Sequence, residues 1–254
     1  MPGGLYYAVN TMSGQWTAVD LVGKPADIYD PPGQPRYALI YLHGVGQETL
    51  ADRPKYTDLF AAMGLGCVVP RGGYTWWSDR PLPDYDPSRT AERYIRADVV
   101  PFVCQRWALS QRAVGLFGIS MGGQGALRMA FKFPDEFPVV AAIAPAIEYQ
   151  ELHGQGNSLD VMYESKEQAR QDSAILHVHP SHFPPHIFFC CDPDDDWHRG
   201  ADRLHEKLSA LGVAHECDLT TRAGGHTWDY YNAVAERVVG FLQDGLEQES
   251  RRLL

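Results

Sequence analysis

Short apolar runs alternate with stretches of helical spacing along most of the chain. Tyr37 to Leu42, Gly66 to Val69, Ala113 to Ile119, Val139 to Ala144 and Ile187 to Cys191 are compact, mostly apolar runs that read as buried strands. His215 to Thr220 reads as a sixth. Tyr6 to Asp30 reads as short extended segments, clearest over Trp16 to Val22 and ended by Pro31, Pro32 and Gly33. Helical spacing covers Leu50 to Met63, Glu92 to Leu109, Met121 to Lys132, Arg199 to Leu211 and Asp229 to Glu249. In the second of these Ile95, Val99, Phe102, Val103 and Trp107 fall near one face. In the fourth, Ala201, Leu204, Leu208 and Leu211 form a stripe that Gly212 stops. Strands alternating with helices predict an α/β fold, a mostly parallel central sheet with helices on both faces. Residues 146–186 are polar and rich in His and Gln. They are too long for an ordinary connection and read as a cover segment inserted over one edge of the sheet, within a single domain spanning 1–254.

Composition narrows the function classes. The 254 residues are 44% hydrophobic and 21% charged, which excludes a disordered, collagen-like or coiled-coil chain. Lys and Arg number 22 against 32 Asp and Glu, and the net charge of −10 argues against nucleic acid or anionic membrane as partners. No apolar run approaches the roughly 20 residues of a membrane-spanning helix. The start Met1-Pro2-Gly3-Gly4-Leu5-Tyr6-Tyr7 lacks the pattern of a signal peptide, so a cytoplasmic location is expected. The five cysteines include the adjacent pair Cys190 and Cys191 and show no paired zinc spacing. They read as buried free thiols, and neither metal nor cofactor is expected.

The chemistry concentrates in Gly118-Ile119-Ser120-Met121-Gly122, a G-x-S-x-G segment directly after a buried strand and directly before a helix. Such a turn forces its serine into a strained conformation and exposes the hydroxyl at the carboxyl edge of the sheet, at a helix N-terminus that favours a developing anion. A serine nucleophile needs a base, usually His. In hydrolases built on this turn the order is Ser, acid, His, with His ahead of the C-terminal helix. Of the ten histidines only His226, in Ala223-Gly224-Gly225-His226-Thr227-Trp228, fits; His215 reads as a surface strand residue. The acid belongs after the strand Ile187 to Cys191, where Asp192, Asp194, Asp195 and Asp196 compete; Asp192, nearest the strand, is placed to cap the turn. This cluster lacks the spaced ligands of a calcium loop. Two amides are needed for an oxyanion: that of Met121, and one from His43-Gly44-Val45-Gly46-Gln47, with Val45 preferred and Gly44 second. His43 itself reads as packing beneath the site.

Gly118 to Leu127, followed by Phe133-Pro134-Asp135-Glu136-Phe137, resembles the α/β-hydrolase fold, and within it the esterase branch that includes esterase D (S-formylglutathione hydrolase), feruloyl esterases and mycolyltransferases. Gly224-Gly225-His226-Thr227-Trp228-Asp229-Tyr230-Tyr231 is similar to the histidine segment of that branch, and the resemblance runs from about residue 36 to 243. The family ends this strand with a Cys-Gly-Thr-Glu-Asp type sequence, then an aromatic residue and a helix containing Leu. Laid on Cys191 without gaps, that implies Asp195 as the acid and puts the Leu on Leu204. Here the next residue is Asp196, with Trp197 one later, so a one-residue slip would choose Asp196. The extended Gly run that follows His-Gly in many lipases is absent, as in esterase D.

On the substrate side, Tyr74, Trp76 and Trp77 follow the strand Gly66 to Val69 and are expected to wall a pocket for an acyl or sugar group. Trp197 and Trp228, beside the acid and the His, are expected to line it. His177, His179, His182 and His186 read as surface or lid residues rather than metal ligands. The expectation is a serine hydrolase acting on a small-molecule carboxylic ester or thioester through an acyl-enzyme on Ser120. The rivals are acyl transfer to a non-water acceptor, against which the missing signal peptide counts, and a non-catalytic binding module on a hydrolase scaffold.

Overall fold

The computed structural model describes residues 14–252. Its strands are β1 (Gln15–Asp20), β2 (Pro25–Asp30), β3 (Tyr37–Leu42), β4 (Leu65–Pro70), β5 (Val114–Ile119), β6 (Val139–Ile143), β7 (His186–Cys190) and β8 (Glu216–Asp218). They form one open sheet in the order β1-β2-β4-β3-β5-β6-β7-β8. β1 pairs antiparallel with β2, and β2 with β4; from β4 to β8 every neighbour is parallel. β3, β4, β5 and β6 are buried at every position, which is why they read as continuous apolar runs rather than alternating ones.

The helices are α1 (Pro54–Met63), α2 (Ala91–Tyr94), α3 (Val100–Trp107), α4 (Met121–Lys132), α5 (Ser158–Met162), α6 (Lys166–Gln171), α7 (His198–Ala210) and α8 (Trp228–Arg251). A side chain at Gly115 would meet Leu246 of α8, while one at Gly118 would meet α4. Positions three apart on a strand face opposite ways, so α8 and α4 cover opposite faces of the sheet.

Where element ends differ from the sequence reading, a specific residue is responsible. α1 starts at Pro54, not Leu50, because a proline has no N–H to donate and its fixed φ suits a first helical position. The helix expected over 92–109 begins at Ala91, capped by the Thr90 side chain, and ends at Trp107. Its middle, Ile95–Val99, is a π-helical turn just before Pro101, whose ring would clash in a regular α-helix. β8 closes at Asp218 because that carboxylate accepts the Thr220 and Thr221 amides and bends the chain away. Of the expected extended stretch from Tyr6, the part before Gly14 lies outside the described residues; the rest is the β1–β2 hairpin. Its tip, Val22 and Gly23, has φ of 57° and 79°, as a tight hairpin turn requires.

Residues 146–186 contain α5, α6 and two short helical turns, Tyr149–Leu152 and Ala174–Leu176. They connect β6 to β7, which are neighbours. The segment was expected over a sheet edge. It packs instead on α4 and on the 71–80 loop: the Ala174 N–H donates to Gln124 Oε1 (3.1 Å), Ser158 Oγ donates to the Tyr74 carbonyl (2.7 Å), and Tyr149 stacks on Trp76. Among the described residues no helix is long and apolar enough to cross a membrane.

Candidate active site

β5 ends at Ile119 and α4 starts at Met121, so Ser120 alone makes the turn. It does so at φ 57° and ψ −116°, a backbone conformation that costs a non-glycine residue about 1–3 kcal/mol. α4 lies so close to β5 and to the end of β3 that glycine is needed at both Gly118 and Gly122. A Cβ on Gly118 would lie 2.3 Å from the Gly122 carbonyl carbon, and one on Gly122 only 1.8 Å from the Leu42 carbonyl oxygen. The strained residue is held by its backbone: its N–H donates to Ile143 O (2.9 Å), and its carbonyl accepts from Gln124 (3.0 Å) and Ala146 (3.1 Å). Its hydroxyl stands at the N-terminus of α4, where unsatisfied amides and the helix dipole favour negative charge.

His226 lies in the loop between β8 and α8, with Nε2 2.9 Å from Ser120 Oγ and Nδ1 2.6 Å from Asp195 Oδ2. The Asp195 side chain is fully buried, and its Oδ1 accepts the Trp197 N–H at 2.9 Å. A carboxylate only accepts, so Nδ1 carries the imidazole proton, and the Nε2 lone pair faces the Ser120 hydroxyl.

The aspartates after β7 have separate places. Asp192 is buried; Oδ1 accepts the Asp194 amide (2.8 Å) and Oδ2 the amides of Ala223 (2.6 Å) and Gly225 (3.0 Å). Burial pushes this carboxyl up, but the three amides outweigh burial and hold it below its ordinary value. Asp192 therefore joins the acid loop to the histidine loop. Asp194 pairs with Arg222 at the surface. Asp196 is exposed, and the one-residue slip that would have chosen it is not what the geometry favours.

The loop after β3 passes against the serine: a Cβ on Gly44 would sit 3.4 Å from Ser120 Cβ. The Gly44 carbonyl accepts from the Gln47 N–H (3.0 Å) and from His43 Nδ1 (2.8 Å). His43 is buried and its Nε2 accepts the Gly72 N–H at 2.9 Å, which puts the proton on Nδ1. Burial lowers its pKa to about 4 and keeps it neutral. As expected it packs beneath the site, but it is also a strut between two loops. The amides of Met121 and Val45 meet no backbone or side-chain acceptor among the described residues.

Ser120 and His226 open into a cavity of about 150 Å³, bordered by Tyr41, Glu48, Trp228 and Tyr231. Val45 also borders a second cavity of about 580 Å³, lined by Tyr74, Trp76, Leu152 and Val161. Tyr74, Trp76 and Trp228 thus lie where pocket residues were expected. Trp77 does not. It is fully buried over Gly72 and Gly125, its Nε1–H donates to the His43 carbonyl (3.0 Å), and it packs the core with no ring face open to a ligand. Trp197 is half-buried at the start of α7 and borders neither cavity. Among the cavity residues that the sequence did not single out, Glu48 and Tyr231 touch the predicted ones. Glu48 accepts the Trp228 Nε1–H at 3.1 Å, and Tyr231 stands edge-on to the His226 ring at 5.6 Å. Tyr231 closes the histidine segment, three residues after Trp228 and so on the same helix face, a usable signal. Glu48 sits far from Trp228 in sequence and gave none.

Behind the turn, α4 carries the buried Arg128, which pairs with Glu92 of α2 and with Asp172 (2.5 Å) of the inserted segment. Lys132 joins Glu92 at 2.7 Å, and the Tyr163 hydroxyl donates to Asp172 at 2.7 Å. Burial pushes Asp172 up, but His177, Arg128 and Tyr163 hold it well below the carboxylate range.

The sequence model of an esterase family, described as "Putative esterase", matches residues 25–235. Esterase Rv1288 of Mycobacterium tuberculosis (strain ATCC 25618 / H37Rv) is 30% identical over 138 residues, 52% of this chain and 30% of that protein. The chain thus spans about 30% of the length of the curated relatives it matches. FphF, a fluorophosphonate-binding serine hydrolase of Staphylococcus aureus solved with substrate bound, superposes with a TM-score of 0.74 at 16% identity, over 91% of this chain and 99% of that one. An S-formylglutathione hydrolase from Agrobacterium tumefaciens superposes with a TM-score of 0.71 at 18% identity, over 96% and 97%. At such identities the likeness is one of fold, the α/β-hydrolase fold.

Proposed function

The chain belongs to this esterase family, and on that premise we propose that it is a serine hydrolase cleaving a carboxylic ester or thioester through an acyl-enzyme on Ser120. The observation that carries the reading is the pair of contacts through His226, 2.9 Å to Ser120 Oγ and 2.6 Å to Asp195. His226 Nε2 takes the Ser120 proton as Oγ attacks the carbonyl carbon. Asp195 holds the imidazole in the required tautomer and stabilises its charged form. The Met121 and Val45 amides hold the oxyanion. Val45 is favoured over Gly44 by the trans geometry of the peptide between them: His43 and Gln47 engage the Gly44 carbonyl, so the Val45 N–H points the opposite way. His226 then gives its proton to the leaving alcohol or thiol. Water, deprotonated by the same imidazole, releases the acid and returns Ser120.

The 150 Å³ cavity suits a short acyl group, and the 580 Å³ cavity with Tyr74, Trp76, Leu152 and Val161 suits an apolar or aromatic group across the ester bond. Trp228 shapes the smaller one. Residues 146–186 act as the cover of a single catalytic domain. The five free thiols suit a reducing compartment such as the cytoplasm.

Turnover of p-nitrophenyl acetate, with Ser120→Ala as the variant, tests the reading. Loss of turnover and of fluorophosphonate labelling, with unchanged circular dichroism, is expected; an active Ser120→Ala protein refutes it. Products formed with an added alcohol distinguish hydrolysis from acyl transfer: free acid is expected, and a new ester would reassign the enzyme as a transferase.

A further inference from the structure

A second cluster of chemically active side chains lies between α7 and β8. His205 projects from α7, Cys217 from β8, and His215 from the loop joining them. One donor atom from each lies within 4.8 Å of the other two. His205 Nδ1 is 2.9 Å from His215 Nε2 and 3.4 Å from Cys217 Sγ. All three residues are half-buried.

The surroundings orient these atoms. His215 Nδ1–H donates to the Val213 carbonyl at 2.8 Å. That bond fixes the tautomer and leaves the Nε2 lone pair facing the cluster, as an outer-shell carbonyl does for a metal-ligating histidine. The Phe189 ring lies nearly parallel to the His215 ring, 8° apart in plane at 5.9 Å, and holds its orientation. The other histidines do not converge in this way. His177 goes to Asp172, His182 to Asp135 and His186 to Glu249, each a different carboxylate.

We propose that His205, His215 and Cys217 form a binding site for a thiophilic divalent transition metal, of which Zn²⁺ fits the donor set best. Two imidazole nitrogens and a thiolate suit zinc and not calcium or magnesium, which take oxygen ligands. With Zn–N of about 2.0–2.1 Å and Zn–S of about 2.3 Å, the 3.4 Å nitrogen–sulfur separation subtends roughly 100° at the metal, near tetrahedral. The 2.9 Å nitrogen–nitrogen separation is short by about 0.4 Å, so the two rings part slightly on binding. The fourth position faces a surface cavity that His205 and Cys217 share with Asp202, one helical turn earlier on α7. Zn²⁺ with one thiolate and two neutral imidazoles carries a single positive charge, which the Asp202 carboxylate offsets. On binding, the Cys217 thiol proton leaves to solvent. His205 moves its proton from Nδ1 to Nε2, so one proton is released per ion.

The site has a structural consequence. α7 starts just after the loop that carries Asp195, and β8 leads into the loop that carries His226. Coordination across them ties the two loops' supports together. The inference rests on the cluster alone and stands whatever Ser120 does.

Equilibrium dialysis of the chelator-stripped full chain against Zn²⁺, with metal counted by mass spectrometry, tests it. One Zn²⁺ per chain is expected. Cys217→Ser, His205→Ala and His215→Ala should each weaken binding by more than the ~100-fold that loss of an outer-shell partner can cost, while His182→Ala leaves it unchanged. Co²⁺ in the wild type should give the thiolate charge-transfer band and intense visible bands of a four-coordinate site, and Cys217→Ser should abolish the former. Should the variants not fold, alkylation of the wild-type chain still decides: Zn²⁺ protects Cys217 from iodoacetamide and leaves Cys104, also half-buried, reactive. Absence of stoichiometric binding, a cobalt spectrum without the sulfur band, or equal alkylation of both thiols overturns the proposal.

Discussion

Replacing Asp195 by Asn reverses the polarity of the contacts through His226 while keeping their shape. Oδ1 accepts the Trp197 N–H at 2.9 Å and Oδ2 accepts the His226 Nδ1–H at 2.6 Å, so the site asks for two acceptors. An amide offers one acceptor and one donor. The Trp197 N–H belongs to the loop backbone and would be left unsatisfied by an NH₂, so the amide oxygen stays with it and the NH₂ group turns to Nδ1. A donor opposite Nδ1 forces the imidazole proton onto Nε2, where it points at Ser120 Oγ instead of leaving a lone pair for it. The expected loss is about 10⁴-fold in kcat, roughly 5 kcal/mol of transition-state stabilisation. The fold keeps its partners, so the melting temperature should move by no more than about 4 °C. The assay is steady-state hydrolysis of p-nitrophenyl acetate, with fluorophosphonate titration to count active sites, and Asp196→Asn as the companion variant, expected within twofold of wild type. Asp195→Asn retaining more than a tenth of wild-type kcat, or Asp196→Asn losing as much as Asp195→Asn, would refute the assignment.

Asp192→Asn puts an NH₂ group against amides that need an acceptor and should cost about 1.5–3 kcal/mol in urea unfolding at neutral pH. Because the folded carboxyl is held below its ordinary value, its contribution is full above about pH 4 and disappears as pH falls through the folded pKa, so wild type and variant should converge in acid. Gly122→Ala places a methyl 1.8 Å from the Leu42 carbonyl oxygen and should destabilise by more than ~4 kcal/mol in thermal melts; a stable, active variant would contradict the close approach of α4 to the end of β3. Arg128→Met leaves buried Glu92 with Lys132 as its one cation among the described residues and buried Asp172 with Tyr163 and His177, and should lower stability by about 3–5 kcal/mol, measured by denaturant unfolding. Glu48→Gln removes a carboxylate bordering the smaller cavity and should raise kcat/KM for succinyl relative to acetyl esters roughly tenfold.

What was legible in the sequence was local or periodic. β3, β5 and β6 are covered on both faces, so their residues are apolar whatever else the chain does. Ser120 is legible because the close approach of α4 to β5 and to the end of β3 dictates Gly118 and Gly122 within five residues. The acid was harder. Asp192, Asp194, Asp195 and Asp196 are chemically alike and adjacent, and only the course of a turn separates the one beside His226 from one paired to Arg222. Trp76 and Trp77 pose the same problem: one borders a cavity, and its neighbour faces the core. The His205, His215 and Cys217 cluster was invisible because a helix, a loop and a strand bring it together. Glu48 was missed for the same reason.

The division of the site across the sheet has a consequence for heat. Ser120 springs from β5, flanked by strands on both sides, whereas His226 follows β8, three residues long and, among the described residues, paired along one edge only. Edge strands fray at lower temperature than central ones, in partial openings that leave the rest of the molecule folded. Warming should therefore separate the base from the nucleophile while the core is still folded. Inactivation would then precede unfolding, and cooling would restore full rate, so the ceiling on working temperature is set by the weakest margin of the sheet and not by the hydrophobic interior.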